Sequence, residues 1–287
     1  IDGVVFHAET FGDPANPVVV VVHGGPGGDY GYLLNLHRLE DDYFVVFYDQ
    51  RGAGLSPRVA ASELTLQSSI DDLHRIVTHY SNGEPVNLIG HSWGGMLAAG
   101  YIGQYSEYVK KVVLAEPGAL DNAGLARFNE RQSKQGFAYY RTLVPTIFET
   151  FHMTQPDPDA LMDYIFGQMM ESFVNNSSSG YRCADENVKA ITPSVPVPHT
   201  RVGATAYSTL FGPDTDLKPI ADNAANYTDV VLFVASECSS FTGADFQRGQ
   251  MGIFPQARLV VISSAGHEMF SENPTDSLAV LREYFGS

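Results

Sequence analysis

The chain has few basic side chains and no apolar run long enough to cross a membrane. Its 287 residues include 17 Lys and Arg against 33 Asp and Glu, so the formal net charge is −16. Nucleic-acid-binding proteins neutralise phosphates with clustered basic side chains, and the longest basic run here is Lys110-Lys111. Because a bilayer span needs roughly 18 apolar residues, a run such as Val18 to Val22 is only strand-sized. We therefore expect no nucleic-acid partner and no membrane insertion.

Cysteine is almost absent. Cys183 and Cys238 have neither the spacing of a metal site nor a C-x-x-C spacing, and we interpret them as two buried thiols rather than as a disulfide. Hydrophobic residues make up 44% of the chain and charged residues only 17%, a balance typical of a compact globular protein. The chain begins with Ile1, which indicates processing. We expect a soluble protein that is either cytoplasmic or exported after removal of a signal peptide.

Short apolar runs alternate with segments of helical periodicity. The strand-like runs are rich in Val, Ile and Leu, which suits strands buried on both faces, and they are residues 17–23, 44–49, 86–90, 111–116, 230–235 and 259–262. Apolar residues at helical spacing occur in residues 68–80, 93–105, 244–254 and 275–285. This alternation predicts an α/β fold with a mostly parallel, doubly wound sheet, to which residues 3–8 add an antiparallel edge hairpin.

Residues 118–220 break this alternation. They contain helical patches rich in Phe and Tyr but no strand-like run of the core type. Connections in compact domains are usually about 2–6 residues long, so a segment of this length indicates an insertion. We predict a helical cap at residues 118–220, inserted into an α/β core formed by residues 1–117 and 221–287.

Ser92 lies in the motif Gly90-His-Ser-Trp-Gly-Gly95, directly between a predicted strand and a predicted helix. Small residues around a serine at this point permit a tight strand-to-helix turn, which exposes the hydroxyl above the sheet. A lone G-x-S-x-G pattern is common by chance, but its position between strand and helix makes it specific. We predict that Ser92 is a nucleophile.

A second glycine-rich segment, His23 to Gly28, follows the first long predicted strand. Its glycines let a backbone N–H point into the cleft, where the negative charge on a carbonyl oxygen needs preorganised donors worth about 3–4 kcal/mol each. We assign the N–H groups of Gly25 and Trp93 to this oxyanion hole. A phosphate-binding loop is disfavoured, because the segment lacks the Walker Lys and Ser or Thr.

His267 follows the last predicted strand in Gly266-His267-Glu268. An imidazole at this edge of the sheet reaches the nucleophile from the other side of the cleft, takes its proton and later gives it to the leaving group. Of the nine histidines, His267 alone has this placement. We predict that His267 is the general base.

Four motifs together resemble the proline iminopeptidase family of α/β-hydrolases, and they are His23-Gly-Gly-Pro-Gly27, Asp49-Gln-Arg-Gly-Ala-Gly-Leu-Ser56, Gly90-His-Ser-Trp-Gly-Gly95 and Gly266-His267. The resemblance covers nearly all of the chain except the predicted cap. It implies an eight-stranded sheet, a helical cap over the site, and hydrolysis of amides or esters through an acyl-serine without metal or cofactor. It also implies that Asp49 and Arg51 form a buried ion-pair turn.

The chain departs from this family at the third catalytic residue. The family's Asp would fall at Ser239, and Glu237 lies two residues short of that position. Glu116 instead ends the predicted strand that follows the Ser92 helix, and dehalogenase-like α/β-hydrolases resemble this arrangement. Pro117 favours an extended conformation at Glu116. We predict that Glu116 is the triad acid; the alternative is that it caps a helix or pairs with an arginine.

The sequence indicates the substrate less precisely than it indicates the catalytic residues. The family holds the α-ammonium of its substrate with glutamates, and Ser240 stands at one such position, while Asp214 and Asp216 lie near the expected place at the end of the cap. We predict an enzyme, a serine hydrolase resembling an aminopeptidase for small N-terminal residues, with a small molecule or short peptide as substrate. An esterase, lactonase or amidase for a small apolar or aromatic acyl group is the alternative. A non-catalytic hydrolase-like ligand sensor is the third possibility.

Overall fold

A seven-stranded sheet forms the centre of the fold. The computed structural model describes residues 1–133, 136–154, 157–176, 179–183, 201–211 and 215–287. Its strands are β1 Ala8–Phe11, β2 Val18–Val22, β3 Phe44–Tyr48, β4 Val86–His91, β5 Val109–Ala115, β6 Val231–Ser236 and β7 Ala257–Ile262. They lie in the order β1-β3-β2-β4-β5-β6-β7. Strand β1 is antiparallel to β3 and all other neighbours are parallel, which confirms the predicted α/β class.

The expected eighth strand and the edge hairpin are not found in the described part of the chain. Ile1 and Val4 are joined by two hydrogen bonds, from Ile1 N to Val4 O and from Val4 N to Ile1 O, and Gly3 has a φ of 81°. This closed turn holds the first residues out of the sheet. Strand β2 already has parallel partners on both sides, so β1 cannot form a hairpin with it and pairs at the outer edge of β3 instead.

Helices cover both faces of the sheet. They are α1 Leu66–Tyr80, α2 Trp93–Gln104, α3 Asn122–Ser133, α4 Gly136–Thr150, α5 Ala160–Asn175, α6 Ala204–Leu210, α7 Lys218–Ala221, α8 Ala244–Arg248, α9 Met269–Glu272 and α10 Pro274–Gly286, with a 3₁₀ helix at Gly31–Leu39. None of the helices in the described ranges has both the length and the apolar character needed to cross a bilayer.

Strand β2 consists of five buried valines and has no polar position. Val18, Val20 and Val22 pack in the core on one face of the sheet, together with side chains of α1 and α2. Val19 and Val21 pack on the opposite face, against the 3₁₀ helix and α10. A side chain of this size contributes about 1.5–3 kcal/mol when fully buried, so the central strand is stabilised from both sides.

The described elements between β5 and β6 are all helical, from α3 to α7. Thr142 of α4 and Ser172 of α5 share a hydrogen bond of 2.7 Å. Arg58, from the loop between β3 and α1, forms ion pairs of 2.6 Å with Asp157 and Asp163 of this inserted segment. The division of the chain at residues 117 and 221 stays a prediction.

Cys183 and Cys238 form a disulfide, with a Cα–Cα distance of 4.8 Å. The interpretation as two thiols is therefore wrong. Cys183 follows α5 in the inserted segment and Cys238 follows β6 in the core, so the bond joins the two parts of the chain. A sequence separation of 55 residues gives no local pattern from which this pairing could be recognised.

We predict that Gly94→Ala destabilises the fold, because α2 begins in contact with the end of β2. A Cβ at Gly94 would lie 2.0 Å from the carbonyl oxygen of Val22, a backbone atom that cannot turn aside. The expected loss is about 2 kcal/mol or more in the free energy of unfolding, measured by urea denaturation. Gly252→Ala is the control, since a Cβ there meets no atom within 4 Å. Equal stability of the two variants would contradict this assignment.

Candidate active site

Ser92 occupies the turn between β4 and α2. Its backbone has φ 56° and ψ −122°, a conformation that is rarely populated by a residue with a side chain. The neighbouring glycines are required by space, since a Cβ at Gly90 would lie 2.4 Å from the carbonyl oxygen of Gly94. The Ser92 N–H donates to Ala115 O at 3.0 Å, which ties this turn to the end of β5. The structure thus has the strand-to-helix turn that the motif predicts.

Glu116 follows β5 and is completely buried. Its Oε2 lies 2.6 Å from His267 Nδ1 and accepts a hydrogen bond of 2.9 Å from the Thr242 hydroxyl. Its Oε1 accepts from the Ser236 N–H at 2.7 Å and from the Ser236 hydroxyl at 2.5 Å. The φ of Glu116 is 39°, so the extended conformation expected from Pro117 is wrong. The carboxylate reaches His267 through a strained turn that these hydrogen bonds hold in place.

Hydrogen bonding keeps Glu116 ionised. Burial alone would raise the pKa of its carboxyl, but the hydrogen bonds and positive charge from His267, with the two hydrogen bonds from Ser236, outweigh burial and hold the pKa below its usual value. Because the ionised carboxylate is an acceptor only, His267 donates to it through Nδ1–H. The other ring nitrogen, Nε2, is then free to accept a proton.

Sequence reasoning missed the two hydroxyl side chains that support Glu116. Ser236 ends β6, at the same edge of the sheet as Glu116. Thr242 lies in the following loop, within 2.9 Å of both Glu116 Oε2 and His267 Nδ1. Ser239, the position expected for the family's Asp, accepts the Thr242 N–H through its hydroxyl at 3.2 Å. Glu237 is exposed and accepts from the Ser264 N–H at 2.9 Å, so it does not act on His267.

The predicted oxyanion loop curls between β2 and the 3₁₀ helix. Gly25 has a φ of 121°, and a Cβ there would lie 2.5 Å from Gly28 N, so only glycine fits. The loop is fastened by Gln50, whose side-chain NH₂ donates to His23 O at 2.7 Å and whose Oε1 accepts from the Trp93 indole at 3.0 Å. Gly25 and Trp93 therefore both border the cavity that contains Ser92.

His91 connects three of these loops. Burial and the neighbouring His267 lower its pKa to about 3, so the ring is neutral. Its Nε2–H donates to the carbonyl oxygen of His267 at 2.9 Å, and its Nδ1 accepts from the Tyr32 hydroxyl at 2.8 Å. The same hydroxyl accepts from the Gly24 N–H at 2.7 Å. These hydrogen bonds hold the Ser92 turn, the glycine loop and the loop of His267 next to one another.

The strand order, the strained serine turn and the order serine, acid, histidine along the chain agree with one known family. A model of that family, described as the alpha/beta hydrolase fold, matches residues 17–191. The chain belongs to the α/β-hydrolase family. Among the described residues of this hydrolase, no group of three His, Cys, Asp or Glu side chains is arranged to hold a metal ion.

The known proteins that are similar to this chain have names that describe different activities. The proline iminopeptidase of Heyndrickxia coagulans is 25% identical over 94% of this chain and 90% of that protein. A cis-3-alkyl-4-alkyloxetan-2-one decarboxylase of Shewanella oneidensis is 35% identical, but the match covers 36% of this chain and only 33% of that protein. The solved structure of VinJ has a TM-score of 0.70 at 19% identity and covers 99% of this chain and 95% of that one, which shows the shared fold.

Two cavities meet at Ser92 in this α/β-hydrolase. The larger has a volume of about 640 Å³ and also contains His267 and Thr242. Its apolar side chains come largely from α5 and from neighbouring segments, and they include Met96, Phe128, Met162, Ile165, Phe166, Met169, Met170, Phe173, Phe211 and Phe241. No Asp, Glu, Lys or Arg of the described residues borders it. The smaller cavity, of about 60 Å³, lies beside the glycine loop.

Some residues predicted for the site lie elsewhere. Asp214 lies outside the described residues. Asp216 is exposed, where it accepts from the Lys218 N–H at 3.0 Å and the Asn122 side chain at 3.2 Å, and the structure does not bring it to either cavity. The contact with the Lys218 N–H two residues along the chain is a local turn contact, which accounts for an Asp at this position without a ligand.

The expected ion pair of the Asp-Gln-Arg-Gly turn is also wrong. Arg51 pairs with Asp72 of α1, with two hydrogen bonds of 2.6 Å. Asp49 instead accepts from the N–H groups of Tyr30 and Leu55. The turn still has a scaffolding position, because it connects the glycine loop to α1.

We predict that Glu116→Gln lowers kcat/KM by at least about a hundredfold while the protein stays folded. The amide keeps the size of the side chain but cannot neutralise His267 when that ring becomes a cation. The measurement is hydrolysis of an activated aryl ester, with circular dichroism as the check on folding.

Glu237→Gln is the matched control for this prediction, because it removes one exposed carboxylate of the same chain. It should retain most of the activity. An active Glu116→Gln together with an inactive Glu237→Gln or Ser239→Ala would place the acid after β6 and contradict the assignment.

Proposed function

We propose that the chain is a serine hydrolase that cleaves esters or amides through an acyl-enzyme on Ser92. The observation that carries this proposal is the 2.6 Å contact between the buried Glu116 carboxylate and His267 Nδ1, in a cavity that also contains Ser92. The Ser92 hydroxyl makes no hydrogen bond to His267 among the described residues. Such contacts often tighten only when substrate is bound.

The proposed reaction has two halves. His267 Nε2 takes the proton of Ser92 as Oγ attacks the carbonyl carbon, and the carbonyl oxygen becomes an anion that faces the N–H groups of Gly25 and Trp93. The carbon–heteroatom bond then breaks, and His267 gives its proton to the departing alcohol or amine. Water repeats the same steps on the acyl-serine and releases the acid. Glu116 stabilises the imidazolium in both halves.

The larger cavity supports an apolar substrate. Its volume of about 640 Å³ falls within the range of roughly 300–1,000 Å³ that is typical of small-molecule sites, and it exceeds what a short acyl group needs. Methionine and phenylalanine side chains favour alkyl chains and rings, and burial contributes about 25 cal/mol per Å² of apolar surface. We propose an ester or amide with a medium or large apolar part as the small-molecule substrate.

An aminopeptidase acting on short peptides is the second candidate. The name of the Heyndrickxia coagulans relative, which matches along nearly its whole length, supports it. A buried α-ammonium would need a carboxylate partner, and the described lining of the larger cavity offers none. The apolar lining of the larger cavity therefore favours the apolar ester or amide, and the one carboxylate that the described residues place beside Ser92 is Glu268 in the smaller cavity.

We expect a fluorophosphonate reagent to modify one residue per chain, and Ser92→Ala to abolish both the labelling and turnover. An activated serine next to a general base is the group that such reagents phosphonylate, with loss of fluoride. Intact-protein mass spectrometry counts the labels. Ser208→Ala is the matched control, because Ser208 borders the same cavity and should not be the labelled residue. Labelling that persists in Ser92→Ala would exclude Ser92 as the nucleophile.

The two candidate substrates differ in one group that can be blocked. We expect an apolar aminoacyl arylamide and its N-acetylated form both to be cleaved, because the larger cavity offers no carboxylate that would make a free ammonium obligatory. The rates are compared as kcat/KM at one pH. A strong requirement for the free amine would instead support the aminopeptidase.

A further inference from the structure

The smaller cavity beside Ser92 contains a buried carboxyl that the proposed reaction does not use. This carboxyl belongs to Glu268, which is only 7% exposed. It borders the cavity together with Ser92, Gly25 and Tyr32. The remaining walls are mainly apolar side chains, which are Pro26, Phe166, Met170, Val174 and Val202 with the rings of Tyr181 and Tyr207. Isolated carboxyls are rarely placed in such surroundings unless a partner satisfies them.

Glu268 is held in one orientation. Its Oε1 accepts a hydrogen bond of 2.9 Å from the Tyr181 hydroxyl. The backbone of Tyr181 is itself fixed, because its carbonyl oxygen accepts from the His267 N–H at 2.7 Å. Within the described ranges, no donor reaches the second carboxyl oxygen of Glu268. That oxygen is not one of the fully buried atoms that lack a partner but is accessible from the cavity that Glu268 borders, so a substrate group that donates to it gains a hydrogen bond that a substrate without a donor does not make.

The size of the smaller cavity limits what it holds. A volume of about 60 Å³ accommodates a group of only a few atoms, since one water molecule occupies about 30 Å³ in the liquid. In an acyl-enzyme the carbonyl carbon is bonded to Ser92 Oγ. The substituent on the next carbon is therefore the part of the acyl group that lies closest to Ser92, while its chain extends into the larger cavity.

We propose that the smaller cavity is a subsite for a hydrogen-bond donor, a hydroxyl or an ammonium, on the carbon next to the scissile carbonyl, and that Glu268 accepts its hydrogen bond. The inference rests on the proposed acyl-enzyme at Ser92, because that bond fixes the position of the donor. It identifies the substrate class as α-substituted apolar acyl compounds. Glu268 is then a specificity-determining residue, and Tyr181 is a positioning residue that acts through it.

The charge of Glu268 distinguishes the two possible donors. Burial raises the pKa of its carboxyl to about 7, so the neutral and ionised forms are both present near neutral pH. The charged or titratable groups that face it are His267, Tyr181, Glu272, Arg182 and Tyr32. An ammonium needs the ionised form of Glu268, whereas a hydroxyl is held by either form.

The test compares three phenyl esters with the same leaving group and chain, which are those of octanoic acid, α-hydroxyoctanoic acid and α-aminooctanoic acid. Phenyl esters are reactive enough for either an esterase or an amidase to cleave. The readout is the ratio of kcat/KM for each substituted ester to that for the unsubstituted ester. We expect a ratio of about ten or more for at least one donor, as one buried hydrogen bond implies.

The pH dependence of these ratios identifies the donor. If the ammonium is preferred, its ratio rises with pH as Glu268 ionises and falls again as the amine, with a pKa of about 8, loses its proton. If the hydroxyl is preferred, its ratio has no such maximum. Any pH dependence of the acylation step that is common to all three esters cancels in the ratio.

Two substitutions at Glu268 test the assignment. Glu268→Gln keeps the size and an acceptor, so it should retain a hydroxyl preference but lose an ammonium preference. Glu268→Met removes the acceptor and should bring both ratios close to one. Glu283→Gln, an exposed carboxylate on α10, is the matched control and should leave the ratios as in the unaltered chain.

The possible failures are distinguishable. Fluorophosphonate labelling of each variant shows whether its Ser92 site is folded. If Glu268→Met does not fold, Glu268→Gln tests a preference for the ammonium and Glu268→Leu tests a preference for the hydroxyl. Ratios near one in the unaltered chain, or ratios that survive removal of the Glu268 acceptor, would overturn the subsite alone. Absence of both turnover and acylation of Ser92 by all three esters would overturn the proposed function itself.

Discussion

The buried charge of Glu116 sets the geometry of the catalytic edge. A carboxylate with no exposure is costly unless hydrogen bonds and an opposite charge compensate for it. The compensating donors come from the end of β6, from the following loop and from the loop after β7, through Ser236, Thr242 and His267. Each of these segments must therefore stay in place for Glu116 to remain ionised. The same contacts fix the imidazole tautomer that the reaction needs.

The inserted segment between β5 and β6 is connected to this arrangement through residues 179–183. The Tyr181 carbonyl accepts from the His267 N–H. Next to this contact, the Glu272 carboxylate accepts from the Cys183 N–H of the inserted segment and from the Gly266 N–H of the loop of His267. The disulfide to Cys238 adds a covalent link to the loop after β6. Because this short segment contacts the loop of His267 and the loop after β6, the walls of both cavities are positioned together with His267 and the residues that support Glu116.

The sequence predicts the parts of the site that follow from local rules. Ser92 could be identified because the glycines around it permit one tight turn between a strand and a helix. Glu116 could be placed because the carboxyl ends of parallel strands meet at one edge of the sheet. The supporting hydroxyls, the disulfide and the role of Glu268 could not, since they depend on how distant loops approach each other. The contact of Asp216 with the Lys218 N–H could not be distinguished from a ligand-binding role by the sequence, because an Asp in a local turn and an Asp in a binding site look alike there.

The two cavities at Ser92 contribute in different ways to substrate choice. An apolar cavity distinguishes substrates weakly, because one methylene group changes binding by only about 1–3 kcal/mol. A buried polar group is more selective, since a substrate that fails to pair with it leaves it unsatisfied. The larger cavity therefore supplies affinity for many apolar chains, whereas Glu268 selects among them by one small substituent. This division explains why a buried carboxyl lies beside Ser92 in the smaller cavity while no charged side chain of the described residues borders the larger cavity.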